Sequence, residues 1–186
     1  MRSQMKENIA DAFLAMLAQK SIDKITVKDL VEVCNISRQS FYYHFQDIMD
    51  VVEWVIQRTY QEIAACCLKA DTLEEEIRIL VTCFVERYEL LTRLRDSQKR
   101  ELIDQQVVGA VQVYLQAGWR QVMSHMDIRG ADAEALVSFY SAGITGLMME
   151  RCQEKNPDVD ELARQIYHIT QQLFPNCDQW QWPFRA

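Results

Sequence analysis

Residues 37–44 read Ser-Arg-Gln-Ser-Phe-Tyr-Tyr-His, a dense run of hydrogen-bonding side chains on a short stretch. The Arg38 guanidinium and the Gln39 amide each suit two-point bonding, to guanine and adenine edges respectively. Ser37, Ser40, Tyr42, Tyr43 and His44 can bond phosphate oxygens or base edges. Adjacent helical residues lie about 100° apart, so Tyr42 and Tyr43 cannot both enter a core and at least one presents its hydroxyl outward. This chemistry is readout of a polyanion rather than catalysis. No nucleophile elbow, phosphate loop, metal triad or paired-carboxylate signature occurs, and no enzyme activity is expected. Glu74, Glu75 and Glu76 read as a solvated helix start. Cys66, Cys67 and Cys83 lack the paired spacing of a zinc site, and His125 and His168 are distant in sequence. No metal and no cofactor are expected.

These residues need a scaffold, and the composition says of what kind. The chain has 186 residues, of which 49% are apolar, with five glycines and three prolines. So few turn residues favour helices over strands. The net charge of -7 argues at first against nucleic acid. Its distribution answers that objection. Within residues 1–47, Arg2, Lys6, Lys20, Lys24, Lys28 and Arg38 balance Glu7, Asp11, Asp23, Asp29, Glu32 and Asp47, so the remainder carries the deficit. No run approaches the roughly 20 apolar residues that span a bilayer, and the polar start does not resemble a secretory signal. A cytoplasmic location without membrane contact is expected, with the cysteines reduced.

The apolar spacing predicts helices over about 3–20, 27–34 and 38–44, then a long one opening at Asp47 and broken at Asp71-Thr72. Thr26 has the position of an N-cap with Asp29 three residues on, and Ser37 caps the next short helix. Asn35 stands at the tight joint between them, where a left-handed backbone is needed. Val27, Leu30, Val31, Ile36 and Phe41 can close a small core under the first helix. Thr72 and Glu75 have capping-box spacing before a helix over 73–91. Residues 92–104 read as a charged connector or short helix. Helices follow over 105–126 and 132–154. Asn156-Pro157 has N-cap and N1 chemistry for a last helix that runs to Leu173. No strand pattern and no repeat is found. The fold class is therefore all-α: an N-terminal three-helix domain with a helix-turn-helix, residues 1–47, then a helical body, residues 48–186.

The segment ITVKDLVEVCNISRQSFYYHFQD, residues 25–47, resembles the signature of the TetR/AcrR family of transcriptional regulators, and the likeness extends over residues 9–55. It implies a homodimer that reads a palindromic operator in double-stranded DNA under control of a small-molecule effector. Position by position, it implies that Thr26 and Lys28 approach phosphates and that Arg38, Gln39, Ser40 and Tyr43 face bases. Tyr42 and His44 would bond the backbone. Asn35 and Gln39 stand where the family often has glycine. Gln46 stands where a phosphate-contacting lysine is common, which removes one cation. The alternative reading is a co-regulator of the same fold that acts through protein contacts without reading DNA.

The body, by the same resemblance, holds an effector pocket and a four-helix dimer interface. Candidate pocket linings are Phe84, Tyr88, Tyr114, Trp119, Met123 and Phe139. Candidate pairing residues are Phe139, Gly143, Gly146 and Leu147 on one helix, and Leu162, Ile166, Ile169 and Leu173 on the next. Ala142, Gly143 and Gly146 recur at about one helical turn, which permits close backbone approach. The run FYSAGITGLMMERCQEKNPDVDELARQI, residues 139–166, resembles a C-terminal domain class of TetR-like proteins that includes regulators near dihydroxyacetone-kinase genes. Those proteins often carry a tryptophan close to the position of Arg151, and this chain does not. Trp180, Trp182 and Phe184 in the tail are expected to pack back on the body.

Overall fold

A computed structural model describes residues 2–67, 69–125, 128, 130–154 and 156–174, with backbone alone for 2–3 and 117–125. Eight α-helices cover most of the described residues: α1 (Arg2–Leu17), α2 (Val27–Val33), α3 (Arg38–His44), α4 (Ile48–Cys67), α5 (Leu73–Arg95), α6 (Arg100–His125), α7 (Ala131–Arg151) and α8 (Val159–Leu173). A single 3-10 turn, Ile22–Lys24, joins α1 to α2. No strand occurs among the described residues. Trp119, Met123 and the tail residues Trp180, Trp182 and Phe184 lie outside the described side chains.

The chain divides into two compact units: residues 1–59 with 89–106, and residues 60–88 with 107–186. Each has its own core. In the first unit Ile9, Phe13 and Leu17 of α1 are buried with Leu30, Phe41, Phe45, Val51, Val52, Leu94 and Ile103. Residues 89–106 join this unit because Leu94 and Ile103 are buried in its core while the charges beside them pair with each other. Arg93 bonds Glu89 at 3.0 Å, and Arg95 forks onto Asp104. The expected connector over 92–104 is thus mostly helix: α5 continues to Arg95 and α6 starts at Arg100. In this unit Arg93 Nη1 donates to Ala18 O at 3.1 Å, and Gln98 N–H donates to Asp23 at 3.2 Å.

The second unit is built on Leu73, Ile77, Val81, Tyr114, Leu115, Val137, Tyr140, Met148, Leu162, Ala163, Ile166 and Phe174. One sequence expectation fails here. Glu74 and Glu75 are exposed, but Glu76 is 3% exposed and accepts a hydrogen bond from the Tyr114 hydroxyl. Glu76 sits three residues after Leu73 and four before Leu80, on the inner face of α5, so the register buries it in spite of its charge. A buried carboxyl needs hydrogen-bonding partners, and Tyr114, 38 residues away in sequence, is one. The cap of α8 also differs from expectation. Asp158, not Asn156, precedes the helix and accepts from Glu161 N–H at 2.9 Å.

Candidate nucleic-acid interface

The reading surface is assembled by local signals in sequence order. Thr26 caps α2: its hydroxyl accepts from Asp29 N–H at 3.2 Å, while Asp29 accepts from Thr26 N–H at 3.0 Å. This reciprocal box satisfies two of the donors that a helix start leaves open. Lys20 Nζ lies 2.9 Å from Asp29, which ties the box to the end of α1. The Lys20 hydrogen bond, followed by that of the Thr26 N–H, holds the Asp29 carboxyl down at about 2. Its folded value thus lies below the unfolded one, so its stabilisation is complete above about pH 4 and disappears as pH falls toward about 2. Asp29→Asn is expected to be less stable than the parent at pH 7. The gap should close by pH 2 in urea titrations of both proteins, and a gap that stays constant with pH would refute the assignment.

Helix α2 ends in a Schellman arrangement. Asn35 has φ of 51°, Asn35 N–H donates to Glu32 O at 3.2 Å and Ile36 N–H to Val31 O at 3.0 Å. The side-chain amide of asparagine makes this conformation tolerable without glycine. Two residues later Ser37 caps α3, accepting from Ser40 N–H at 3.0 Å. The chain therefore turns sharply and restarts a helix within four residues.

Phe41 on α3 and Phe45, the extended residue that caps the helix's C-terminus, both point inward. Phe41 is fully buried and Phe45 is 1% exposed, with ring centroids 6.0 Å apart. That packing turns the other side of α3 outward. Arg38 and Gln39 are exposed, Ser40 and His44 half-buried, and Tyr42 and Tyr43 57% and 63% exposed. The Tyr43 and His44 rings meet edge to face at 5.0 Å. Thr26 and Lys28 are exposed on α2, where Lys28 stands 3.8 Å from Glu32 in an open ion pair. All nine candidate DNA-contacting residues thus belong to one unit, on α2, α3 and their caps. Asp47 accepts from Met49 and Asp50 N–H at 2.7 and 3.0 Å and starts α4 immediately after.

The remaining candidates divide. Phe84 and Tyr88 are half-buried with rings 6.4 Å apart, and the Tyr88 hydroxyl donates to Met149 O at 3.4 Å. Tyr114 is buried in the same core. Phe139 stands apart from these, 73% exposed. It lines an open apolar groove between α7 and α8 with Gly143, Ile144, Leu147, Ile166, Ile169 and Leu173. Leu162 and Ile166 are buried within the unit, whereas Ile169 and Leu173 are 45% and 43% exposed. A Cβ built at Gly143 or Gly146 would meet nothing within 4 Å.

The sequence reasoning missed Glu76, whose signal was its register on α5. Burial pushes the Cys67 thiol up to about 12, with Glu76 adding to the effect, and burial also raises Cys34, Cys83 and Cys152. These thiols are poor nucleophiles at neutral pH. Among the described residues no group of three His, Cys, Asp or Glu side chains is placed to hold a metal. No described helix is long and apolar enough to cross a membrane.

Residues 9–53 match the family model described as bacterial regulatory proteins, tetR family. Over 55 residues the chain is 29% identical to the HTH-type dhaKLM operon transcriptional activator DhaS of Lactococcus lactis subsp. lactis (strain IL1403). That stretch covers 30% of this chain and 29% of that protein, under two thirds of the relative's length. The fold is similar to a solved dihydroxyacetone kinase operon activator DhaS, with a TM-score of 0.62, 17% identity and coverage of 91% of this chain and 95% of that one. It is also similar to the TetR family repressor AlkX of Dietzia sp. strain DQ12-45-1b, with a TM-score of 0.56, 12% identity and coverage of 91% and 94%. The fatty acid degradation regulator FadR of Bacillus halodurans aligns with a TM-score of 0.57, 17% identity and coverage of 88% and 93%.

Proposed function

We propose that this chain, a TetR-family protein in its DNA-binding domain and its fold, is a transcriptional regulator that binds a palindromic operator as a homodimer. The observation that carries the reading is the two-sided character of α3: Phe41 and Phe45 anchor one side while Arg38, Gln39, Tyr42 and Tyr43 are exposed on the other. Such a helix is suited to the major groove, with α2 across the backbone. Residues 1–47 form the reading head in this account, and residues 48–186 the pairing and effector-binding body. Thr26 and Lys28 meet phosphates, and Arg38, Gln39, Ser40 and Tyr43 meet bases. Ser37 holds the helix start, and Tyr42 and His44 contact the backbone.

Pairing runs through the α7–α8 groove. Its exposed Phe139, Ile169 and Leu173 and its open glycines support close approach by a second copy. Two heads are needed because one buries little surface, while two can engage half-sites about one helical turn apart. An effector enters the core of the second unit near Phe84, Tyr88 and Tyr114 and biases α4, a continuous helix that contributes residues to both units. To regulate, it must bind one head spacing better than the other, because equal affinity shifts nothing.

Selection from random-sequence duplexes with the purified chain tests the reading. It should recover a two-half-site palindrome, bound by two chains. Affinity for it should fall on the order of 100-fold between about 50 and about 200 mM salt if some four phosphates are neutralised. Recovery of no enriched sequence, or binding insensitive to salt, would favour the protein-contact reading instead.

A further inference from the structure

The first unit neutralises most of its cations internally. Lys20 meets Asp29, Lys28 meets Glu32, Arg58 meets Asp11 and Arg93 meets Glu89, while Arg95 and Arg100 share Asp104. Among the described side chains of this unit, Lys6, Lys24, Arg38 and Lys99 are in no ion pair. Two of the four stand at opposite ends of α3. Arg38 is its first residue, and the Lys6 ammonium lies 4.9 Å from the centroid of the Phe45 ring, the residue that caps its C-terminus. Phe45 is itself fixed, buried between Phe41 and Trp54 with ring centroids 6.0 and 6.3 Å away. Lys6 is therefore held over an immobile ring face while remaining partly exposed. The chain neighbours of Phe45 at that end are His44, half-buried, and Gln46, exposed and uncharged.

We propose that Lys6, carried on α1, is a phosphate-contacting residue of the interface. It meets the DNA backbone at the C-terminal end of α3 while Arg38 acts at the N-terminal end. This rests on the DNA-binding reading above and adds a residue from outside the helix-turn-helix itself. The dimensions agree: seven residues of helix span about 10 Å, close to the roughly 12 Å width of the major groove, so with Arg38 at a base edge a cation at the other end of α3 reaches a flanking phosphate. A lysine ammonium is a compact point charge with three donors, suited to a phosphate oxygen and indifferent to base identity. A head with no net charge gains its attraction to DNA from where its unpaired cations stand, and Lys6 is one of them.

The test compares Lys6→Gln, Lys6→Arg and the parent on two probes of equal length: the duplex selected by the parent and one of unrelated sequence. Lys6→Gln should weaken binding to both by a similar factor, roughly tenfold at about 0.15 M salt, and lower the slope of log affinity against log salt by about 0.9 per head. Lys6→Arg should keep both slope and affinity near the parent's. Melting curves of the unbound proteins separate the other role of Lys6, its contact with Phe45. A lower melting temperature with an unchanged salt slope would overturn the proposal, as would a loss confined to the selected duplex. If the parent bound neither probe, the DNA-reading function itself would fail, a result distinct from a parent that binds and a variant that binds equally.

Discussion

Phe41→Ala should cost about 3–5 kcal/mol, the usual loss for truncating a buried phenylalanine, and should abolish operator binding. The ring is fully buried and packs on Phe45 beneath the exposed face of α3. A loss of this size is a large part of the roughly 5–15 kcal/mol that holds a typical domain together. The damage should be local. The two cores share no residue, since one centres on Phe13, Leu30 and Phe41 and the other on Val81, Tyr140 and Ile166. Urea unfolding followed by circular dichroism should therefore show an early step that removes part of the helical signal, with a later step near that of the parent. A loss under about 1 kcal/mol, with DNA binding intact, would mean that α3 is not held by this ring.

If the chain pairs through the α7–α8 groove as proposed, Gly143→Leu is expected to convert a dimer to a monomer without harming the chain's own fold. A Cβ at this position meets nothing within 4 Å in the chain, and leucine is the better helix former by up to about 1 kcal/mol. In a copy-to-copy interface the same side chain would occupy the place of the partner's backbone. The two effects have opposite signs, so they are separable. Sedimentation should show one chain per particle where the parent shows two, operator affinity should fall at least about 100-fold as the second head is lost, and the far-UV circular dichroism of the monomer should match the parent's. A Gly143→Leu protein that stays dimeric and binds its operator normally would place the pairing surface elsewhere.

The reading head was legible because its signals are local. The Thr26 N-cap with Asp29 three residues on, Asn35 at the joint, the Ser37 cap and Phe41 in the small core each act within about one turn of helix, and the structure assembles them in the order the sequence sets out. What failed was tertiary. Glu76 looked like one of three solvated acids until α5 took a register that turned it inward toward Tyr114. On α7 the apolar residues surround the helix, so their period could not reveal which side is covered. Tyr140 and Met148 turn in, as do Ser141 and Thr145, while Phe139 stays out. At the junction of α5 and α6 the conspicuous charges left a connector and a short helix both open, and the burial of Leu94 and Ile103 explains why it is mostly helix.

The most direct test of the account is to repeat the duplex selection with an Arg38→Ala/Gln39→Ala chain. Both side chains are exposed and enter no core, so fold and dimer should persist. If α3 reads base edges, the double variant should still bind DNA with salt-dependent affinity, yet its preference should relax at the half-site positions these two residues read, by about 1–3 kcal/mol for each lost two-point contact. Enrichment of the parent's sequence to the same degree by both proteins would show that something other than the exposed face of α3 does the reading.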